Sequence, residues 1–193
     1  FRSRKHDDRR VHNLIVDIQA SNGNYFIDQF EVRSLVNAEN SDYVLGLTLD
    51  QIDFKELERR VESNAFVKDA QVFVDVAGNL NVTLEQTTPI ARIVNRAGND
   101  QYIDKEGLLL PLNAKYTARV PIIEFTSAHT WESNVLENDF GQQLLSMLLY
   151  VDQDPFWKPQ IAHLMVDDKM EISIIPQVTK QIVYFGSPEG FQS

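Results

Sequence analysis

The chain has no cysteine, which excludes disulfides, thiolate nucleophiles and cysteine-ligated metals and leaves the redox character of its compartment open. Histidine is also rare. His6, His12, His129 and His163 are the only four in 193 residues, and none stands in an H-x-x-x-H or H-x-x-E-H spacing that would mark zinc. The eight glycines form neither a G-x-G-x-x-G fingerprint nor a phosphate loop, and there is no G-x-S-x-G elbow. Nucleotide enzymes and serine hydrolases lose their sequence support. No apolar run reaches 18 residues and no signal peptide is visible, so the sequence does not display its own targeting.

Positive charge is scarce as well. Eighteen Lys and Arg stand against twenty-eight Asp and Glu, for a net charge of -10 and a pI near 4.8. That balance argues against nucleic acid, whose phosphates need a clustered basic surface. Five of the eighteen basic residues, Arg2, Arg4, Lys5, Arg9 and Arg10, fall in the first ten positions. Residues 1–10 are therefore expected to be a basic arm, either solvated, an appended remnant, or lying beside a membrane. The body that follows is strongly acidic.

With 43% hydrophobic and 24% charged residues the chain reads as globular, long enough for one large domain or two small ones. Leu14, Val16 and Ile18 alternate with Ile15, Asp17 and Gln19, which predicts a strand. Ile27-Asp28-Gln29-Phe30-Glu31-Val32 and Ile52-Asp53-Phe54-Lys55-Glu56-Leu57 each show a capping box flanked by a hydrophobic staple, predicting two helices, the second ending near Ser63 or Asn64. Val72/Val74/Val76 and Leu80/Val82/Leu84 then predict a hairpin joined by Ala77-Gly78-Asn79. The order is β-α-α-β-β. Beyond Pro89 come short strands and turns, a helix over Asn134–Asp152 along Phe140, Leu144, Met147, Leu148 and Val151, and a final meander of strands.

The stretch Gln101 to Leu112, QYIDKEGLLLPL, is the best candidate for chemistry, because Asp104 and Glu106 stand beside Gly107. A type I turn with Gly107 at positive φ accounts for these residues without a reaction, and no partner group at fixed spacing raises either carboxyl's pKa. Asp167-Asp168 beside Lys169 reads as a second turn, without a calcium-loop pattern. A solvated turn implies that replacing Asp104 and Glu106 by alanine changes stability by less than roughly 0.5 kcal/mol, with Gly107→Val more harmful. No catalytic residue, metal or cofactor is expected, and the chain is expected not to be an enzyme.

Several motifs, in order, resemble the extracytoplasmic part of the bacterial division family FtsQ/DivIB. Asn64-Ala65-Phe66-Val67-Lys68-Asp69-Ala70-Gln71-Val72 is similar to the family's N-P-[W/F]-V-x-x-A-x-V, and Pro89-Ile90-Ala91-Arg92 follows the hairpin. Tyr102-Ile103-Asp104-Lys105-Glu106-Gly107 is like its apolar-apolar-D-x-x-G. Pro111-Leu112, Lys115-Tyr116-Thr117-Ala118-Arg119-Val120 and Asp154-Pro155-Phe156-Trp157 look closest to FtsQ-like proteins of the Bacteroidetes. Ala65 replaces a family proline, and Gln86 stands where the family has glutamate.

The resemblance implies an α+β chain: a POTRA-like β-α-α-β-β domain over residues 11–86, then a mostly antiparallel β domain with a helix over residues 87–193, truncated at its end. It implies a non-catalytic divisome scaffold, anchored in the inner membrane by one helix before residue 1, with this chain in the periplasm and the membrane proteins FtsB and FtsL as partners. The basic leader then lies on the less usual side of the membrane. The alternative is a POTRA-bearing component of outer-membrane protein insertion or secretion. Ile182 to Gly186 is apolar on both faces, and the family's partners dock near the terminal edge of this sheet, so Ile182, Tyr184 and Phe185 are the expected partner-binding residues, acting by main-chain pairing.

Overall fold

A computed structural model describes residues 8–20, 24–38, 43–96, 98–129, 131–176 and 183–188 of the chain, which divides into two units, Phe1–Thr87 and Thr88–Ser193. In the first, the alternating residues form β1, Asn13–Gln19, with Leu14 and Val16 buried. Asp28 caps α1, Gln29–Val36, by accepting from Glu31 N at 2.8 Å, and Asp53 caps α2, Phe54–Glu62, by accepting from Glu56 N at 3.1 Å. The expected reciprocal half of the second box is replaced, because the Glu56 carboxylate turns along the helix to Arg59 and Arg60. Strands β2, Val67–Val74, and β3, Asn79–Gln86, complete the β-α-α-β-β order.

The sheet order is β1-β3-β2, with β1 parallel to β3 and β3 antiparallel to β2. Parallel neighbours cannot be joined by a tight turn, so the chain crosses between them through both helices. The helices bury Val32, Val36, Leu57 and Val61 together with Leu14, Val72, Leu80 and Val82. Arg9 and Arg10 are already tied to this unit: Arg9 O accepts from Leu49 N, and Arg10 Nη1 donates to Gly46 O at 2.7 Å.

The β2–β3 hairpin corrects one expectation. Its three-residue loop is Val76-Ala77-Gly78, one position earlier than the sequence suggests, and Val76 is 98% exposed instead of inward. Asp75 decides the register. Its Oδ1 accepts from Ala77 N and Asn79 N, both at 3.0 Å, while Gly78 sits at φ +85°. A type I turn followed by a left-handed residue is the favoured three-residue hairpin loop, and it needs the glycine at its third place.

Phe66 and Val67 are both buried, but they do different things. Val67 joins the main core, whereas Phe66 stacks on Phe26, with centroids 5.1 Å apart and planes 11° from parallel. Beside this pair Gln86, 3% exposed, accepts from Phe26 N and Ile27 N and donates Nε2 to Asn24 O at 2.7 Å. An ionised glutamate has no hydrogen to donate to Asn24 O. The side-chain amide at this position is thus explained by its surroundings.

In the second unit β4, Pro89–Asn95, β5, Gln101–Asp104, β6, Leu109–Pro111, and β7, Ile122–Phe125, precede α3, Asp139–Gln153, and β8, Ile161–Val166, β9, Ile172–Pro176, and β10, Val183–Gly186, follow it. The strand order is β10-β9-β8-β7-β4-β5-β6. Four of the six neighbouring pairs are antiparallel, but β7 at the centre is parallel to both β4 and β8. Helix α3 is the crossover from β7 to β8, and Leu144, Met147, Leu148 and Val151 bury against Ile93, Ile123, Phe125, Leu164 and Ile174.

The helix is shorter than expected. Val135–Glu137 form a separate 3-10 turn, and α3 starts afresh with Asn138 accepting from Gly141 N at 2.8 Å. A Cβ on Gly141 would lie 1.7 Å from Val135 O, so the glycine inside the helix marks a close approach that no side chain permits.

The turn at 104–108 repeats the one at 75–79. Asp104 Oδ1 accepts from Glu106 N and Leu108 N at 2.8 and 2.9 Å, Gly107 N donates to Asp104 O, and Gly107 has φ +81°. Asp167 builds a third copy with Lys169 N and Glu171 N, both at 2.9 Å, and places Met170 at φ +60°. The expectation of a turn holds, but the expectation of a solvated Asp104 does not: it is 4% exposed. A Cβ on Gly107 would also meet Asn134 Oδ1 at 2.7 Å, because the turn docks on the 134–136 segment.

Two measurements follow from these positions. Asp104→Ala removes a buried carboxylate that holds two turn amides and is expected to cost about 1–3 kcal/mol in urea unfolding, more than the exposed Glu106→Ala. Phe66→Ala is expected to cost about 3–5 kcal/mol, and an unchanged melting temperature would place its ring outside the core.

Candidate partner-binding edge

Among the described residues the second sheet ends in β6 on one side and β10 on the other. Strand β10 is held to β9 by antiparallel pairing, Val183 opposite Ile174, Tyr184 opposite Ser173 and Gly186 opposite Ile172, with a bulge between Tyr184 and Gly186. Phe185 falls in the bulge, which bends the strand where pairing ends. Tyr184 and Phe185 therefore stand on the outer strand, while Ile182 lies outside the described residues. A strand paired on one side carries a row of backbone donors and acceptors along the other.

The sheet face away from α3 is half-exposed and mixed in character. Ile122, His163 and Ile175 are cross-strand neighbours on it, as are Glu124, Met165 and Ser173. His163 Nε2 lies 3.0 Å from Glu124 Oε2. Next to the other edge, Ala118 N donates to Tyr102 Oη at 3.1 Å, and Arg92 Nη2 pairs with Asp100 Oδ2 at 2.9 Å.

Groups that resemble reaction machinery are engaged with backbone amides or with neighbouring side chains. Glu137 gathers three consecutive N–H groups, those of Glu132, Ser133 and Asn134, at 3.0, 2.7 and 2.9 Å. The Asn134, Ser133 and Glu132 amides hold its carboxyl at about 2. Asp75 is likewise held at about 2, first by the Asn79 backbone amide and then by the side chains of Asn79 and Asn81. Glu56 is held at about 2, chiefly by its hydrogen bond to Arg59. His129 stacks on Phe125 with centroids 4.8 Å apart, and burial pushes its pKa down. Among the described residues no group of three or more His, Asp or Glu could hold a metal ion.

The sequence did not single out Glu58 and Glu62, one helical turn apart on α2, whose carboxylates accept from the outer edge of β2. Their i,i+4 spacing was the available signal, but such a spacing normally marks only one helix face.

One β-α-α-β-β unit followed by a larger, strand-rich unit agrees with the family comparisons. The POTRA-like domain matches residues 10–85, and the family described as FtsQ/DivIB, C-terminal related, matches residues 88–193. No curated protein matches the chain. The chain belongs to the FtsQ/DivIB family, whose members act in cell division, are generally non-enzymatic scaffolds with protein partners, and are generally membrane-anchored. No described helix is long and apolar enough to cross a membrane.

The depressed carboxyls make a pH prediction. An acid whose folded pKa lies below its unfolded value stabilises the fold above the unfolded pKa and loses that contribution as pH falls. The loss is expected to run from about pH 4.5 for Glu56 and Glu137, and from about 3.8 for Asp75, down to about 2. Urea midpoints taken across that range should fall steadily, and Glu137→Gln should be less stable at pH 7 and shallower in its decline below pH 4.5.

Proposed function

We propose that the chain is the periplasmic part of a single-pass inner-membrane divisome scaffold that does no chemistry of its own and recruits and links other division proteins, FtsB and FtsL among them. Its partner-facing side is the outer edge of the second sheet, at Ile182, Tyr184 and Phe185, engaged through main-chain pairing more than through side-chain chemistry. The observation that carries this reading is the position of β10 at the end of the strand order, held on one side by β9. An added strand there gains hydrogen bonds along the whole edge without unmaking the core. Family membership through residues 88–193 weighs for division over a role in outer-membrane insertion, where a POTRA-like unit alone would serve equally well.

Hydrogen exchange on the ectodomain, with and without an FtsB-like peptide, tests the edge. Protection is expected at β10 and at backbone amides near it. Protection confined to residues 11–86 would reject the assignment.

A further inference from the structure

The first sheet also has an outer strand, β2, and its edge is built differently. In an antiparallel pair alternate residues turn both N–H and C=O toward the neighbour, and the residues between turn theirs away. With Ala70 opposite Leu84 and Val72 opposite Val82, the N–H groups of Ala70 and Val72 point away from β3. They do not end in solvent. Glu62 Oε1 accepts from Ala70 N and Glu58 Oε1 from Val72 N, each at 3.2 Å.

The match comes from two repeats. Four residues of α2 advance about 6 Å, and two residues of a strand advance about 6.7 Å. Helix and strand run in opposite senses, so Glu58 meets Val72 and Glu62 meets Ala70. Each carboxylate takes the place that the carbonyl of a neighbouring strand would fill. Between α2 and β2 runs an open groove of about 540 Å³, lined on the helix side by Lys55, Glu58, Arg59 and Glu62. The Val72 amide, with Lys55 adding, holds the Glu58 carboxyl below the usual carboxylate range, so the acceptor is ionised at neutral pH.

An outer strand with free donors is a template for pairing, and Phe73 on β2, 49% exposed, stands beside that edge on the open face of the sheet. We propose that Glu58 and Glu62 are an edge guard: they occupy two of the donors at which an added strand would pair and so keep the first sheet from joining edge to edge with a second copy of the chain. A strand arriving at β2 must expel both carboxylates. This inference is independent of the assignment of partners to the second sheet.

The test compares the wild-type chain with E58A/E62A and E58Q/E62Q by sedimentation velocity and amide exchange. The alanine pair is expected to gain a concentration-dependent association step that the wild type lacks. Its Ala70 and Val72 amides should exchange about tenfold faster than wild type when dilute and become protected on association. The glutamine pair, which keeps an acceptor oxygen at each place, should behave as wild type. The proposal fails if the alanine pair keeps its circular dichroism and does not associate beyond the wild type. It fails equally if the glutamine pair associates as strongly, since loss of charge would then be the cause. Should the double alanine variant not fold, Glu58→Ala alone frees the Val72 donor and is expected to associate more weakly; wild-type behaviour in that folded variant would overturn the idea.

Discussion

Parallel pairing between strands distant in sequence is the constraint on which both units depend. Strand β1 lies beside β3, and β7 lies between β4 and β8, in the same direction as its neighbours. Parallel neighbours need a crossover, and the crossover must lie over a face of the sheet. In the first unit it carries α1 and α2, and in the second α3 spans β7 to β8. Each sheet therefore has a face buried under helices. The half-exposed residues of the opposite faces, and the outer strands, are what each sheet has left to present.

Carboxylates carry much of the backbone accounting. Asp75, Asp104 and Asp167 close three turns of one design, each accepting two amides and setting the third loop residue at positive φ. Glu137 gathers three amides, and Glu58 and Glu62 take two more from a sheet edge. A buried N–H left unpaired costs as much as a lost hydrogen bond, so in irregular segments side-chain acceptors do what ladder carbonyls do in sheets. The same carboxylates that invite a catalytic reading in the sequence are accounted for as turn formers, in a family that is generally non-enzymatic.

Local signals were the legible ones. Alternation located β1, Asp-x-x-Glu located both helix starts in the first unit, and Asp-x-x-Gly located the turn at 104. Each involves residues within four positions of one another. Tertiary facts were less accessible. Val76 continues the apolar alternation of β2, yet Asp75 turns the chain before it, because a side chain with two amides to accept outweighs one more apolar step. Asn134 to Glu137 fit the period of α3 but form their own turn, since Gly141 must pass against Val135 O. The docking of the 104–108 turn on Asn134, Val135 and Leu136 joins segments far apart in sequence. Nor does the sequence say which strand is outermost. The candidate edge rested on family resemblance, and only the strand order puts Tyr184 and Phe185 on an outer strand.

The register Asn13 opposite Asn79 sets an order of events during synthesis. The first strand of the unit is made about sixty residues before the strand it pairs with, while β2 and β3 are joined by a three-residue loop and meet almost as soon as both exist. Closing a long loop adds only about 0.6 kcal/mol for each doubling of its length, but contacts so distant slow the search. The hairpin pairs locally, whereas β1 reaches β3 only across both helices. Until Gln86 has been made, the apolar residues of β1 have no completed sheet to enter, so the first unit cannot be whole before synthesis has passed its last strand.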